Sequence, residues 1–126
     1  FFKTHFSATK LYGQSLTKNQ PLRRIPPFNA RVSAEYGMKQ FVVSVSFDHA
    51  SPQRRLEAGD KSDNRIPAGG TPGFNLLNMH AAYQESNCSF RVYLNNIFNI
   101  DYRTHGSGIN GMGRSISAMM VVSLNQ

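Results

Sequence analysis

The chain has 126 residues, of which 40% are hydrophobic, with a mean hydropathy of −0.40 and a formal net charge of +7. No stretch approaches the roughly 18 apolar residues of a membrane helix, which excludes a helical span but not a membrane barrel, whose strands are only half apolar. A single cysteine, Cys88, excludes an internal disulfide and a cysteine-based zinc motif. The histidines His5, His49, His80 and His105 show no H-x-x-x-H spacing and suit lumen, rim and loop positions, so no metal site is expected. Nucleophile-elbow, P-loop and Rossmann glycine patterns are absent, so neither an enzyme nor a cofactor is expected.

The first predicted strand runs from about Phe2 to Tyr12, with Phe2, Thr4, Phe6 and Ala8 on one face and Lys3, His5, Ser7 and Thr9 on the other. Gly13 to Pro27 reads as a loop, ended by Pro26-Pro27, which cannot donate to a ladder. The second strand, Phe28 to Tyr36, alternates cleanly: Phe28, Ala30, Val32, Ala34 and Tyr36 against Asn29, Arg31, Ser33 and Glu35. Successive strand side chains point to opposite faces, so such alternation writes one greasy face and one wet face. Gly37-Met38-Lys39 forms a tight turn into the third strand, where Phe41, Val43, Val45 and Phe47 oppose Val42, Ser44, Ser46 and Asp48. That strand ends near Ala50, and residues 51–73 form a long loop rich in glycine, proline and charge.

The fourth strand, Phe74 to Tyr83, sets Leu77, Met79, Ala81 and Tyr83 against Asn78 and His80, with Leu76 and Ala82 breaking the polar face. Glu85-Ser86-Asn87 is the next short turn, and the fifth strand places Phe90, Val92 and Leu94 opposite Arg91, Tyr93 and Asn95. Asn99 to Gly113 is the third long loop. The sixth strand carries Ile116, Ala118, Met120, Val122 and Leu124, with Met119 and Val121 as apolar exceptions on its wet face. Connections therefore go long, short, long, short, long, as in an outer-membrane barrel with short periplasmic turns and long extracellular loops. Tyr36 and Tyr83 then fall at the periplasmic rim, where an aromatic girdle belongs.

The positive charge lies in or beside the loops. Lys18, Arg23, Arg24, Arg54, Arg55, Lys61, Arg65, Arg103 and Arg114 are mixed there with Glu57, Asp60, Asp63 and Asp101. They neither line one helix nor interleave with aromatics on one sheet face, so no nucleic-acid partner is expected. Basic loops on a membrane barrel suit anionic lipid headgroups or an anionic ligand, and equally suit plain solvation.

The motifs in order resemble the C-terminal barrel segment of TonB-dependent outer-membrane receptors. Gly13, Pro21-Leu22 and Ile25-Pro26-Pro27 are similar to the family's Pro-Leu and Ile-Pro-Pro run before an alternating strand. Thr71-Pro72-Gly73-Phe74-Asn75-Leu76-Leu77-Asn78 resembles its approach to a late strand, with Phe74 where Tyr is more usual. Leu94-Asn95-Asn96-Ile97-Phe98-Asn99 is the strongest match, followed by Tyr102 and His105-Gly106-Ser107, and Met112-Gly113-Arg114 resembles the element before the last strand. The Met form and the His-x-Ser element are most similar to receptors of Bacteroidota. The ending Leu124-Asn125-Gln126 departs from the family in lacking its common terminal aromatic.

The resemblance implies an all-β fold: about six meander strands of a transmembrane antiparallel barrel of about 22 strands in all. Residues 1–126 would be the C-terminal part of the barrel of a larger receptor, with the plug domain outside this sequence. The function implied is active uptake of a scarce nutrient, such as a metal chelate, siderophore or cobalamin, across the outer membrane of a Gram-negative bacterium. Implied partners are outer-membrane lipid and lipopolysaccharide, the remaining barrel and plug of the same chain, and TonB through an N-terminal region not present here. Arg23, Arg24, Arg54, Arg55, Arg103 and His105 would lie in loops near the ligand entrance, and Arg31, Glu35, Arg91 and Tyr93 would face the lumen or plug. A small passive porin-like barrel is the alternative. A soluble ligand-binding barrel would need its apolar faces turned inward, against the lipid-style alternation.

Overall fold

Period-two alternation ties the face of every strand residue to its pairing register, and a computed structural model describing residues 1–124 shows that register. The strands are β1 (Phe2–Thr9), β2 (Gln14–Ser15), β3 (Gln20–Pro21), β4 (Asn29–Met38), β5 (Phe41–Ala50), β6 (Phe74–Glu85), β7 (Cys88–Asn95) and β8 (Ser115–Val122). A four-residue helix, α1 (Ala58–Lys61), interrupts the loop 51–73. Six strands form one antiparallel sheet in the order β1-β4-β5-β6-β7-β8, with β1 and β8 at opposite edges. β2 and β3 make a separate two-residue ladder inside the first loop. Asn125 and Gln126, on which the expectation of an atypical terminus rests, lie outside the described residues.

Rows of paired residues run across the whole sheet. One row reads Phe2, Tyr36, Val43, Ala81, Val92, Ala118; the next reads Thr4, Ala34, Val45, Met79, Leu94, Ile116. A third reads Phe6, Val32, Phe47, Leu77, and at the short-turn end Met38, Phe41, Tyr83, Phe90 and Met120 align. All of these rows share one face. The opposite face carries rows such as Lys3, Glu35, Ser44, His80, Tyr93, Ser117.

Burial runs against the rule for a soluble sheet. In β5 the apolar Phe41, Val43, Val45 and Phe47 are exposed, whereas Ser44, Ser46 and Asp48 are partly covered. Phe6 on the neighbouring apolar row is 73% exposed. A soluble sandwich of this topology would bury the opposite face. The buried apolar residues among those described are Ala50, Leu56, Ile66 and Leu76, joined by the polar Gln53, Asp60, Thr71, Asn96 and Ser89. Apart from Ser89, these sit in the long loops or at the strand ends beneath them. The dry packing of this chain is therefore at its loop end.

The strand limits differ from the expected ones in informative ways. β1 stops at Thr9, short of Tyr12, because its partner β4 begins pairing only at Asn29. The turn expected at Gly37-Met38-Lys39 moves outward to Lys39-Gln40, since Gly37 and Met38 still pair with Val42 and Phe41. Lys39 takes the positive φ of 52° that the two-residue hairpin requires. β6 likewise extends two residues to Glu85, leaving Ser86-Asn87 as the turn. The apolar exceptions Val42, Ala82 and Met119 fall with Gly37 and Arg91 in a single row of the polar face, near the short turns.

If the apolar face meets hydrocarbon, Val45→Arg, in its central row, should destabilise the protein in bilayers by about 2–4 kcal/mol. Ser33→Arg, on the polar face, should cost far less. Denaturant titrations of vesicle-embedded protein, followed by heat-modifiable gel mobility, measure both; equal losses would mean that the face does not contact lipid.

Candidate functional site

The polar face of the sheet surrounds an open cavity of about 660 Å³, lined by His5, Arg31, Glu35, Asp48, Asn78, His80 and Tyr93 among others. A hydrogen-bonded chain crosses it. Arg31 Nε lies 3.0 Å from Asp48 Oδ1, and Asn78 Nδ2 donates to Asp48 Oδ2 at 2.9 Å. Asn78 Oδ1 in turn accepts from the backbone N–H of Asn96 at 2.9 Å, joining β4, β5 and β6 to the third long loop. Arg31 is more than half exposed, so its ion pair is worth only about 0–1 kcal/mol and mainly fixes orientation. The His80 ring stacks on Tyr93 with centroids 4.5 Å apart and planes 11° apart. Its Nδ1 lies 3.5 Å from Ser44 Oγ, while its buried Nε2 has no partner among the described residues.

Of the residues expected to face the lumen, Arg31, Glu35 and Tyr93 line this cavity. Arg91 is on the same face, paired with Ala82 and Met119 nearer the short turns, and does not line it. Leu76, a break in the sequence pattern, is buried where the third loop covers the sheet, and it lines the cavity together with Tyr102. The Tyr102 ring packs on Phe74 at 4.8 Å.

The loop residues do not stand free as their sequence positions suggest. Arg23 Nε approaches Asp60 Oδ1 at 3.4 Å, and the Arg24 backbone N–H donates to Asp60 Oδ2 at 3.0 Å. Arg23 and Arg24 also reach Asp63, at 3.4 and 3.0 Å, which binds Arg65 through both of its carboxylate oxygens at 2.9 and 2.7 Å. Arg55 donates to Gly13 O at 2.7 Å and to Gln14 Oε1, and its guanidinium lies 4.1 Å over the Tyr12 ring. These contacts bind the first long loop to the second. Gln53 Nε2 adds a bond to Ile25 O at 2.6 Å. Gln53 and Thr71 also pair as an isolated bridge that closes the base of the loop. Gly70, at φ 108°, lies so close to the Gln53 carbonyl that a Cβ would not fit.

Arg54 is exposed and has no hydrogen bond or ion pair among the described residues. Arg103 Nε donates to Asn110 Oδ1 at 2.9 Å, and Asn110 Nδ2 donates to Asp101 at 2.8 Å, beside a cavity of about 250 Å³. His105 turns inward instead. Its Nδ1 is 2.8 Å from Thr71 Oγ1, and its Nε2 is buried without a partner among the described residues. Burial holds its pKa below the ordinary 6.5, against the smaller opposing pull of Asp60 and Asp63. No group of three or more His, Cys, Asp or Glu among the described residues could hold a metal ion.

The residue that organises the third loop is Asn96. Buried and at φ 49°, it donates to the carbonyls of Ile100 at 2.8 Å and Met112 at 3.1 Å, and accepts from Ile100 N–H at 2.8 Å. Asn99 Oδ1 receives the Arg114 N–H at 2.9 Å at the point where the chain returns to β8. Asn96 lies inside the Leu94–Asn99 motif, but its staple role was not visible in the pattern. The roles of Arg65, Asp60 and Asp63 were likewise missed, since their partners are 36 to 40 residues away or depend on the loop's own turns.

No protein-family model matches the chain, and no curated protein matches it in sequence. Among solved structures, the copper transporter OprC superposes on it with a TM-score of 0.81 at 19% sequence identity. The fold is shared. The alignment covers 98% of this chain but 21% of OprC, so the chain spans about a fifth of that transporter's length. At this identity the likeness establishes an all-β, six-stranded antiparallel architecture and no cargo.

Two outcomes follow from the loop geometry. Asn96→Ala removes three hydrogen bonds, each with a net worth of about 0.5–1.5 kcal/mol, and should speed proteolysis within residues 96–114 by an order of magnitude or more. For His105, the released loop takes up a proton at the ordinary pKa while the docked loop takes it up only at lower pH. Docking should therefore be pH-insensitive above 6.5 and weaken as pH falls through that value. Hydrogen exchange of residues 96–114 measures this, and His105→Gln should abolish the dependence.

Proposed function

We propose that this chain is the C-terminal part of the β-barrel of an active-transport receptor in the outer membrane of a Gram-negative bacterium. Its cargo would be a scarce, bulky nutrient such as a metal chelate, siderophore or cobalamin, moved at the expense of energy delivered by TonB to a region outside this sequence. The observation that carries this reading is the reversed sheet: its apolar rows leave Phe6, Tyr36, Val43, Val45, Phe47 and Ile116 exposed and others among them half-buried, while its polar face lines the cavity. Soluble proteins have no use for that arrangement, whereas a wall between lipid and a wet lumen requires it. The loop order supports it, since all three long loops lie at the end opposite the two short turns. The likeness to a copper transporter is consistent with a metal as cargo.

In this reading the apolar face meets outer-membrane lipid and lipopolysaccharide, and β1 and β8 continue into the rest of the barrel. Arg31, Glu35, Tyr93 and, lower down, Arg91 face the plug. Arg23, Arg24 and Arg54 are exposed to a dissolved ligand, Arg103 is half-buried against Asn110, and Arg55 and His105 hold the loops in place. Neither catalysis nor nucleic-acid binding is assigned to the chain. A passive pore made by this chain alone would need β1 to pair with β8, and the two stand at opposite edges of the sheet.

Transport assays on the intact receptor separate the two. Uptake should stop when the proton-motive force is collapsed, and purified receptor in planar bilayers should show no steady ion current. A steady current with uptake unaffected by uncoupler would establish a passive pore. Deleting residues 89–126 should abolish surface assembly in either case, because β7 and β8 are then lost.

A further inference from the structure

Three arginines converge where the first and second long loops meet. Arg23, Arg24 and Arg65 all reach the same Asp63 Oδ2, at 3.4, 3.0 and 2.7 Å. The cluster is layered. The Asp60 and Asp63 side chains are only 1% and 4% exposed, whereas those of the three arginines are 52%, 47% and 42% exposed. Negative charge is thus sealed beneath and positive charge presented above. Three guanidiniums against two carboxylates leave an excess of one positive charge. Counting the neighbouring Lys61 with Glu57, whose carboxylate caps α1, leaves the same excess.

A guanidinium has five N–H donors in a rigid fork suited to carboxylate and phosphate oxygens. The buried aspartates use Nη2 of each arginine and Nε of Arg23 and Arg65. Among the described residues no protein hydrogen bond ends on Nη1 of any of the three, nor on Arg24 Nε. The aspartates thus hold three half-exposed forks in place, each keeping donors without a protein partner among the described residues. Had the cluster served only to tie the loops together, one arginine per carboxylate would suffice. A second tie between the same loops already exists in Arg55 with Gly13 and Gln14.

We propose that Arg23, Arg24 and Arg65 form an anion-binding site on the outer loops, taking a phosphate- or carboxylate-bearing group. It follows from the geometry of the loops and stands whether or not the sheet belongs to an energised transporter. Two sources could supply the group, a dissolved anion or a lipid headgroup.

The test uses the intact receptor in phosphatidylcholine nanodiscs, titrated with inorganic pyrophosphate by calorimetry. Saturable binding is expected, weakened at least tenfold by Arg24→Gln and by Arg65→Gln, and unaffected by Lys18→Gln on the neighbouring hairpin. Because an arginine variant could unfold the loops, a second measurement uses the wild type alone: pyrophosphate should slow tryptic cleavage after Arg23, Arg24 and Arg65. Nanodiscs containing phosphatidylglycerol separate the sources. Unchanged pyrophosphate affinity there assigns the site to a dissolved anion, and competitive loss assigns it to a headgroup. Absence of saturable binding to the wild type, or equal binding by folded variants, would overturn the proposal. Uptake is read independently, so a failure of anion binding leaves the transport reading standing, and the reverse.

Discussion

Because side chains alternate along a strand, pairing register decides which solvent each face can tolerate. A slip of one residue between β4 and β5 would carry Val32, Ala34 and Tyr36 out of line with Phe47, Val45 and Val43 and set serines among them. Two-residue turns at Lys39-Gln40 and Ser86-Asn87 hold two hairpins in register. The next pairings inherit it from there, since β5 carries the rows into β6 and β7 carries them into β8. Once those rows are aligned, apolar side chains run together on one face and polar side chains on the other. The solvent demanded by the sheet follows from the turns as much as from the strands.

The long loops solve a different problem. They pack on each other and on the strand ends next to them. Leu56, Ile66 and Leu76 provide the apolar part, and Asp60, Gln53 and Asn96 provide the hydrogen-bonded part. Every one of those polar groups bonds to backbone: Asp60 to Arg24 N–H, Gln53 to Ile25 O, and Asn96 to Ile100 and Met112. Buried side chains that satisfy loop backbone give irregular segments fixed shape without regular structure. Four of the chain's fourteen lysines and arginines are tied up in this packing. Arg23, Arg24, Arg55 and Arg65 act as struts between loops before they act as a surface.

The strands were legible because period two survives in the residue order, and six segments could be placed to within a few residues. Their ends were less so. The turn expected at Gly37-Met38-Lys39 lies further out, because Gly37 continues the ladder opposite Val42. Leu76, Ala82 and Met119 break the pattern when taken strand by strand. Across the sheet, Val42, Ala82 and Met119 form one row and Leu76 lies under a loop, so each has a local reason that only register reveals. The loop site was nearly illegible. Arg24 meets Asp60 and Asp63 across 36 and 39 positions of sequence, and no periodicity links residues in irregular backbone.

The edges complete the physical picture. β1 and β8 each have one strand neighbour, so along one side of each a row of N–H and C=O groups lacks a ladder partner. Lipid against the apolar face would satisfy the exposed rows of Phe6, Val45 and Ile116, but it would aggravate the edges, because hydrocarbon offers them no hydrogen bonds. Each unsatisfied group there costs several kcal/mol, which over two strands is on the order of tens of kcal/mol. Water would satisfy the edges and penalise the face. In the proposed larger barrel, further strands on both sides within a bilayer would satisfy face and edges together. The same condition explains why the polar face needs no dry core of its own: inside a closed wall it meets water or protein, and its Arg31–Asp48–Asn78–Asn96 chain is built for either.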